Sequence, residues 1–283
     1  LTAALDLRLK GFQVTLLEAM DQLGGMLRVG IPDYRLPPKV LNREIDHILR
    51  HGIQVRTGTR LGTDFDLTDL QAEGFGAVFL GIGAHGSIRL GIAGEKDTTG
   101  VIDAIGFLRD VNLGSRRKPG DRVVIIGGGN VAIDAARAAK RLGATAVTVV
   151  YRRSATEMPA YAEEIDGARE EGITMAYLTA PMKIQSENGR VSALECIRTT
   201  LGPPDASGRR RPVPEEGSEF TIPCDTVIPA IGQKPDIQWA AGLQELQFTA
   251  RGTVKVNPVT CQSSLPYLFA CGDIVTGPAT VIE

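Results

Sequence analysis

Residues 121–153 read DRVVIIGGGNVAIDAARAAKRLGATAVTVVYRR. An apolar run ends in three glycines. An alanine-rich helical stretch follows, then a turn at Gly143, then a second apolar run. That order is strand, loop, helix, turn, strand, one complete βαβ unit. Gly127, Gly129 and Ala132 fit G-x-G-x-x-G/A. The first glycine permits the tight turn and the second lets backbone approach a pyrophosphate. The small third residue allows close packing of helix on strand. The helix start, at Asn130 and Val131, offers N–H groups and a positive dipole end to phosphate. Any tight strand-to-helix turn can match so short a pattern, but the flanking strand and helix favour a nucleotide site.

The end of the second strand selects the nucleotide. An Asp or Glu there accepts from a ribose 2′-hydroxyl. This chain has Tyr151-Arg152-Arg153 instead, 24 to 26 residues beyond Gly127. An acid would repel a 2′-phosphate, whereas guanidinium groups pair with it. The bland reading is a basic surface turn. The spacing favours NADP(H), with Arg152 and Arg153 on the phosphate and Tyr151 placed to cover the adenine.

The flanking sequence repeats the theme. LTAALDLRLKGFQVTLLE is helix, turn and strand, closed by an acid, Glu18, and followed by Gly24 and Gly25. KVLNREIDHILRHG is a helix with Val40, Leu41, Ile45, Ile48 and Leu49 on one face. AVFLGIGAHG is a continuous apolar run, as in a strand buried on both faces. Beyond the βαβ unit come a helix (AYAEEIDGAREEG), a strand (ITMAYLTAPMKIQ) and two strands joined by a long basic, proline-rich loop. Arg209, Arg210 and Arg211 in that loop read as a solvated hairpin tip rather than a site. Near the C-terminus, Gly272-Asp273 follows a buried strand, where a carboxylate can accept from a ribityl hydroxyl.

The expected fold is therefore α/β: two Rossmann-like, doubly wound, three-layer nucleotide-binding domains, the second inserted into the first. Residues 1–108 and 245–283 form a split FAD-binding domain and 120–235 an NADP(H)-binding domain, so that two nucleotides are held face to face. Leu1 falls inside a helical pattern and Glu283 in an opening helical turn. The chain is expected to be a piece of something longer, with the glycine loop of the first domain upstream of Leu1.

Bulk properties narrow the class. Of 283 residues, 43% are hydrophobic, enough for packed cores. The net charge of −2 gives no electrostatic support to a nucleic-acid or membrane-surface partner. No apolar run reaches membrane-spanning length and no signal peptide is legible, so a cytoplasmic location is expected. Cys196, Cys224, Cys261 and Cys271 form no C-x-x-C pair. That argues against a zinc ribbon or a thioredoxin reductase-type disulfide. No metal site is expected. His47, His51 and His85 are unclustered and read as structural or surface residues; Glu157, Glu163 and Glu164 read as helix-capping neighbours of the arginines.

GGMLRVGIPDYRLP, GGGNVAIDAAR, VYRRSATEMPA, DASGRRRPVP, AIGQKP and LFACGDIVTGPATVIE resemble the small (beta) subunit of glutamate synthase. They are also similar to the flavin reductases built like it. Among these are the flavin part of dihydropyrimidine dehydrogenase and the large subunit of NADH-dependent ferredoxin:NADP oxidoreductase. The resemblance implies FAD in the split domain, NADPH in the inserted one, and hydride passing between them without a catalytic side chain. It places Glu18, Gly25, Leu27, Arg28, Leu61, Gly81, Gly83, Gly272, Asp273, Thr280 and Val281 on FAD, the turn from Thr276 to Val281 facing the isoalloxazine. It places Gly127, Gly129, Asn130, Val131, Arg152, Arg153 and Gly232 on NADPH. It further implies iron–sulfur clusters, in an upstream cysteine-rich segment or in a large catalytic or electron-transfer partner subunit. Two rivals stand beside a glutamate synthase-like electron-transfer module. One is a ferredoxin:NADP oxidoreductase or pyrimidine dehydrogenase-type module, the other an NADP(H)-binding fragment that does not retain FAD.

Overall fold

The computed structural model describes residues 1–204 and 208–279. In the first third, α1 (Thr2–Leu9), β1 (Thr15–Leu17), α2 (Gly25–Val29) and α3 (Pro38–Leu49) lead to β2 (Gln54–Arg56), α4 (Leu67–Ala72), β3 (Val78–Leu80) and β4 (Gly86–Ser87). Then come α5 (Ala104–Asn112), β5 (Arg122–Ile126), α6 (Asn130–Arg141), β6 (Ala146–Val150), α7 (Ala162–Glu170) and β7 (Thr174–Ala176). The strands β8 (Thr179–Glu187), β9 (Arg190–Pro204), β10 (Arg210–Pro214), β11 (Phe220–Pro223), β12 (Thr226–Pro229) and β13 (Gln233–Lys234) follow, then β14 (Leu268–Ala270) and α8 (Asp273–Thr276). The chain forms two units. One comprises residues 1–28, 33–86 and 233–283, the other 29–32 and 87–232.

The second unit is built on a parallel sheet ordered β12-β5-β6-β7. Strand alternation sends β5 side chains to two different cores. Val123 and Ile125 meet the helices, with Ala132, Ala135, Ala136 and Ala139 of α6 and Phe107 and Leu108 of α5. The alanines present little more than a methyl each, so α6 lies close on the sheet. Val124 and Ile126 point the other way, to Ile184, Val191, Leu194 and Cys196. Those residues belong to an antiparallel meander in which β9 pairs with β8 on one side and with β10 and β11 on the other. Each fully buried aliphatic side chain here contributes about 1.5–3 kcal/mol.

Two sequence expectations change. The stretch ITMAYLTAPMKIQ is two strands, not one: the chain breaks at Leu178, whose φ is 50°, and passes from the parallel sheet into the meander. Residues 87–108, expected with the first segment, belong to the second unit, because α5 buries Ala104, Phe107 and Leu108 against β5 and α6.

A pair of acids and a pair of arginines tie α6 to α7. Arg137 bonds both Glu164 and Glu171, and Arg141 adds a 2.7 Å contact to Glu171. Gly167 makes room for this: a Cβ there would stand 3.2 Å from the Arg137 guanidinium carbon.

The first unit holds two parallel ladders, β1 with β2 and β14 with β3. Leu23, Leu41 and Ile45 form a small core beneath the first ladder. Val40, read as part of that apolar face, is exposed at 40%. Leu67, Leu70, Leu80, Leu268 and Ile274 form a larger core around the second ladder. A reciprocal capping box starts α4: Asp66 accepts from the Asp69 N–H, and Asp69 accepts from the Asp66 N–H. Among the described residues no helix is long and apolar enough to cross a membrane.

Candidate nucleotide sites

The second unit's site begins where β5 ends. Gly127 has a φ of 148°, and a Cβ there would stand 2.2 Å from the Ala230 carbonyl oxygen. At Gly128 a Cβ would stand 2.4 Å from the Tyr151 ring. Only glycine fits either place. Gly129 is the opposite case, with nothing within 4 Å of its would-be Cβ. The turn is thus packed tight beneath and open at Gly129, where a phosphate can meet backbone. Ala132, in the third fingerprint position, is fully buried, so the small residue serves close helix packing. No side chain caps α6. Its first turn presents the N–H groups of Asn130 and Val131 with the positive end of the helix dipole. The residues present fit a nucleotide pyrophosphate.

The neighbouring predicted residues fall into different roles. Asn130 turns its side-chain oxygen to the Tyr161 N–H at 3.0 Å, holding the start of α7 rather than a ligand. Ala160 donates to the Gly128 carbonyl at 3.1 Å, so residues 154–160 fold back over the glycine turn. Gly232, with a φ of 136°, lies two residues beyond Ala230 and meets the Ile88 side chain. Glu157 caps the Ser154 N–H, and Glu164 pairs with Arg137.

The Tyr151-Arg152-Arg153 turn departs most from expectation. Tyr151 is 7% exposed; its ring lies under Gly128, and its hydroxyl donates to the Glu157 carbonyl at 2.7 Å. It supports the loop and is not free to cover an adenine. Arg152 is exposed. Arg153 is 5% exposed, and its Nε donates to the Arg210 carbonyl at 2.7 Å. Of the two arginines read as phosphate ligands, the fold presents one and buries the other. The tie between Arg153 and Arg210 is not legible in the sequence, because the two residues lie 57 apart.

In the first unit, predicted residues gather at the carboxyl ends of strands, where open α/β sheets bind ligands. Glu18 follows β1 and accepts from the Met20 N–H at 2.9 Å. Gly24 and Gly25 have φ values of 128° and 50° at the entry to α2. Leu27 packs on the small core, and Leu61 packs on the larger one beside Phe65 and Trp239. Arg28 is committed locally, donating to the Leu23 carbonyl at 2.5 Å and to Asn42 Oδ1 at 2.7 Å. The pairing of Leu80 with Ala270 brings Gly81 and Gly83 close to Gly272 and Asp273. Gly272 has a φ of 72° and opens α8. Burial pushes the Asp273 carboxyl above its ordinary value, against the Ala279 N–H and the His85 charge. Glycines and an acid at these ends fit a dinucleotide. Thr280 and Val281 lie outside the described residues.

Among the described residues no three His, Cys, Asp or Glu side chains group as a metal site. His47 and His51, read as unclustered, meet edge to face with ring centroids 5.6 Å apart.

The family model for pyridine nucleotide-disulphide oxidoreductases matches residues 1–283. The chain belongs to the pyridine nucleotide-disulphide oxidoreductase family. FAD and NADP(H) are the cofactors of this family. Within it, the chain is 46% identical to the NADP(+)-dependent formate dehydrogenase subunit beta of Moorella thermoacetica, over 100% of this chain and 40% of that one. It is 42% identical to the NADPH-Fe(3+) oxidoreductase subunit beta of Geobacter sulfurreducens, over 100% and 46%. With the glutamate synthase [NADPH] small chain of Escherichia coli it shares 35% identity, over 96% and 60%. The chain thus spans 40% to 60% of the length of these relatives. Its fold matches that of FprA from Mycobacterium tuberculosis in complex with NADPH, with a TM-score of 0.82 at 19% identity, over 99% of this chain and 77% of that one. Thioredoxin reductase from T. acidophilum gives a TM-score of 0.68 at 18% identity, over 98% and 87%.

Proposed function

We propose that this chain is the NADPH- and FAD-binding part of an electron-transfer oxidoreductase subunit that works with an iron–sulfur partner. The observation that carries the reading is the turn at Gly127–Gly129, closed beneath, open at Gly129, with Arg152 exposed at the end of the adjacent strand. That pairing suits a pyrophosphate together with a 2′-phosphate. When bound, the nicotinamide and the flavin supply hydride chemistry. The protein's own residues bind and orient: Gly129 and the α6 N-terminus take the pyrophosphate, and Arg152 the 2′-phosphate. Glu18, Gly25, Gly81, Gly83, Gly272 and Asp273 take the FAD. In this reading Gly232 stands near the nicotinamide. No side chain of this set need act as acid, base or nucleophile.

Relatives named as beta subunits or small chains support a partnered module. The glutamate synthase small-subunit reading has support at 35% identity. Identities of 46% and 42% favour modules of the formate dehydrogenase and NADPH-Fe(3+) oxidoreductase kind.

The test is an anaerobic titration of the purified full-length protein. Flavin absorption bleached by NADPH at far lower concentration than by NADH is the expected result. A colourless protein that still binds NADP(H) would overturn the flavin assignment; equal bleaching by both nucleotides would overturn the NADPH one.

A further inference from the structure

We propose that Arg210, carried on β10, joins Arg152 in binding the 2′-phosphate, and that buried Arg153 positions it. The inference deepens the NADP(H) reading above and rests on it.

Every backbone carbonyl of the Tyr151-Arg152-Arg153 turn is taken by the antiparallel meander or by Leu178, which leads into it. Thr179 N–H donates to Tyr151 at 3.1 Å, the Thr199 hydroxyl to Arg152 at 2.8 Å, and Leu178 N–H to Arg153 at 3.0 Å. The meander therefore forms the wall of this turn. Arg153 adds the fourth tie through its Nε on the Arg210 carbonyl. A solvated hairpin tip needs no buried cation to anchor it. A hairpin that must deliver a charge to a fixed place does.

The Arg210 side chain is exposed, with Nη2 donating to the Leu201 carbonyl at 3.2 Å. Its field reaches Glu157, in the segment just after the arginine turn. The Ser154 hydroxyl chiefly holds that carboxyl below its ordinary range, and the Arg210 charge adds to the effect. Arg152 and Arg210 are both exposed, and the backbone of each is tied to this one turn and its meander; a phosphate dianion pairs with two guanidinium groups. The meander supplies what the βαβ unit lacks once Arg153 is spent inside.

The experiment uses the full-length protein and two probes that differ only in the 2′-phosphate, 2′,5′-ADP and 5′-AMP, measured by titration calorimetry. Wild type is expected to bind 2′,5′-ADP at least about tenfold more tightly. Arg210→Ala should lower that preference about tenfold, the strength of one charge-assisted hydrogen bond. Its 5′-AMP affinity should stay within about twofold. This variant keeps the backbone carbonyl that Arg153 uses, so the hairpin anchor survives. Arg153→Ala should lower the same preference, and Arg153→Lys should restore part of it. If Arg152→Ala loses the preference while Arg210→Ala keeps it, Arg210 is no ligand and the NADP(H) reading stands. If Arg210→Ala weakens both probes equally, the role is structural and the proposal falls. If wild type does not distinguish the probes, both readings fall together.

Discussion

The ring of Tyr151 fills the place a side chain at residue 128 would need, with its Cε2 atom 2.4 Å from the would-be Cβ. A tyrosine read as an adenine cover is instead the floor of the glycine turn. Its hydroxyl is fixed to the Glu157 carbonyl, so the ring has no simple way out.

This contact separates two of the three glycines by experiment. Gly128→Ala must displace the ring and should cost about 1–3 kcal/mol of stability. Gly129→Ala meets open space at a φ of −88° and should cost under about 1 kcal/mol. It should still raise the NADPH Kd about tenfold or more, because a methyl stands where phosphate approaches backbone. Thermal unfolding and calorimetric titration check both. Wild-type NADPH affinity in Gly129→Ala would remove this turn as the phosphate cradle.

The ion pairs between α6 and α7 predict a pH-dependent loss of stability. At Glu171, burial works to raise the carboxyl's pKa, but hydrogen bonds and charge from Arg141 and Arg137 outweigh it and hold it below the ordinary 4.5. The native state then binds this proton more weakly than the unfolded chain. The contribution is complete above pH 4.5 and is lost as pH falls through the lower native value. Glu171→Gln should destabilise the protein by about 1–3 kcal/mol at pH 7, since it leaves a mostly buried Arg137 short of a charge partner. The gap to wild type should close in acid. Urea unfolding at pH 7 and below pH 4 measures it, and a gap that does not change with pH would refute the charge argument.

Asp273 has the opposite sign. Its carboxyl lies above 3.8 because burial penalises the charge. The native state holds this proton more tightly than the unfolded chain, so ionisation lowers stability as pH rises from 3.8 through the native value. Asp273→Asn should therefore melt at or above the wild-type temperature at neutral pH when both are flavin-free. If the carboxylate binds the ribityl chain, the same variant should retain less flavin after gel filtration. A variant that melts lower and keeps its flavin would contradict both statements.

The four cysteines should separate cleanly with a thiol reagent near pH 8. Cys196 and Cys224 are buried, and burial pushes both thiols up to about 12. They should react only after unfolding. Cys271 is exposed and should react fastest; Cys261 is half-buried and should follow. Mass spectrometry of alkylated peptides gives the order, and early labelling of Cys196 would show that its core opens.

Sequence by itself determined the βαβ unit around Gly127, the phosphate-suited helix start and the cationic end of β6. Those features are written locally: strand period, glycine turn and helix pattern sit within 33 consecutive residues. It also placed Glu18 and Gly272-Asp273 at strand ends, because apolar runs that stop at an acid or a glycine are legible in one dimension, whereas Gly81 and Gly83 were read inside a strand that ends at Leu80. Only the tertiary structure decided which arginine faces outward. Arg152 and Arg153 are neighbours of one type, and their fates diverge through partners far along the chain, Thr199 for one carbonyl and Arg210 for the buried guanidinium. The same holds for Tyr151, whose ring is claimed by Gly128, and for the meander that covers the second face of the sheet. Burial is set by what the whole chain packs against each side chain, and no window of adjacent residues contains that information.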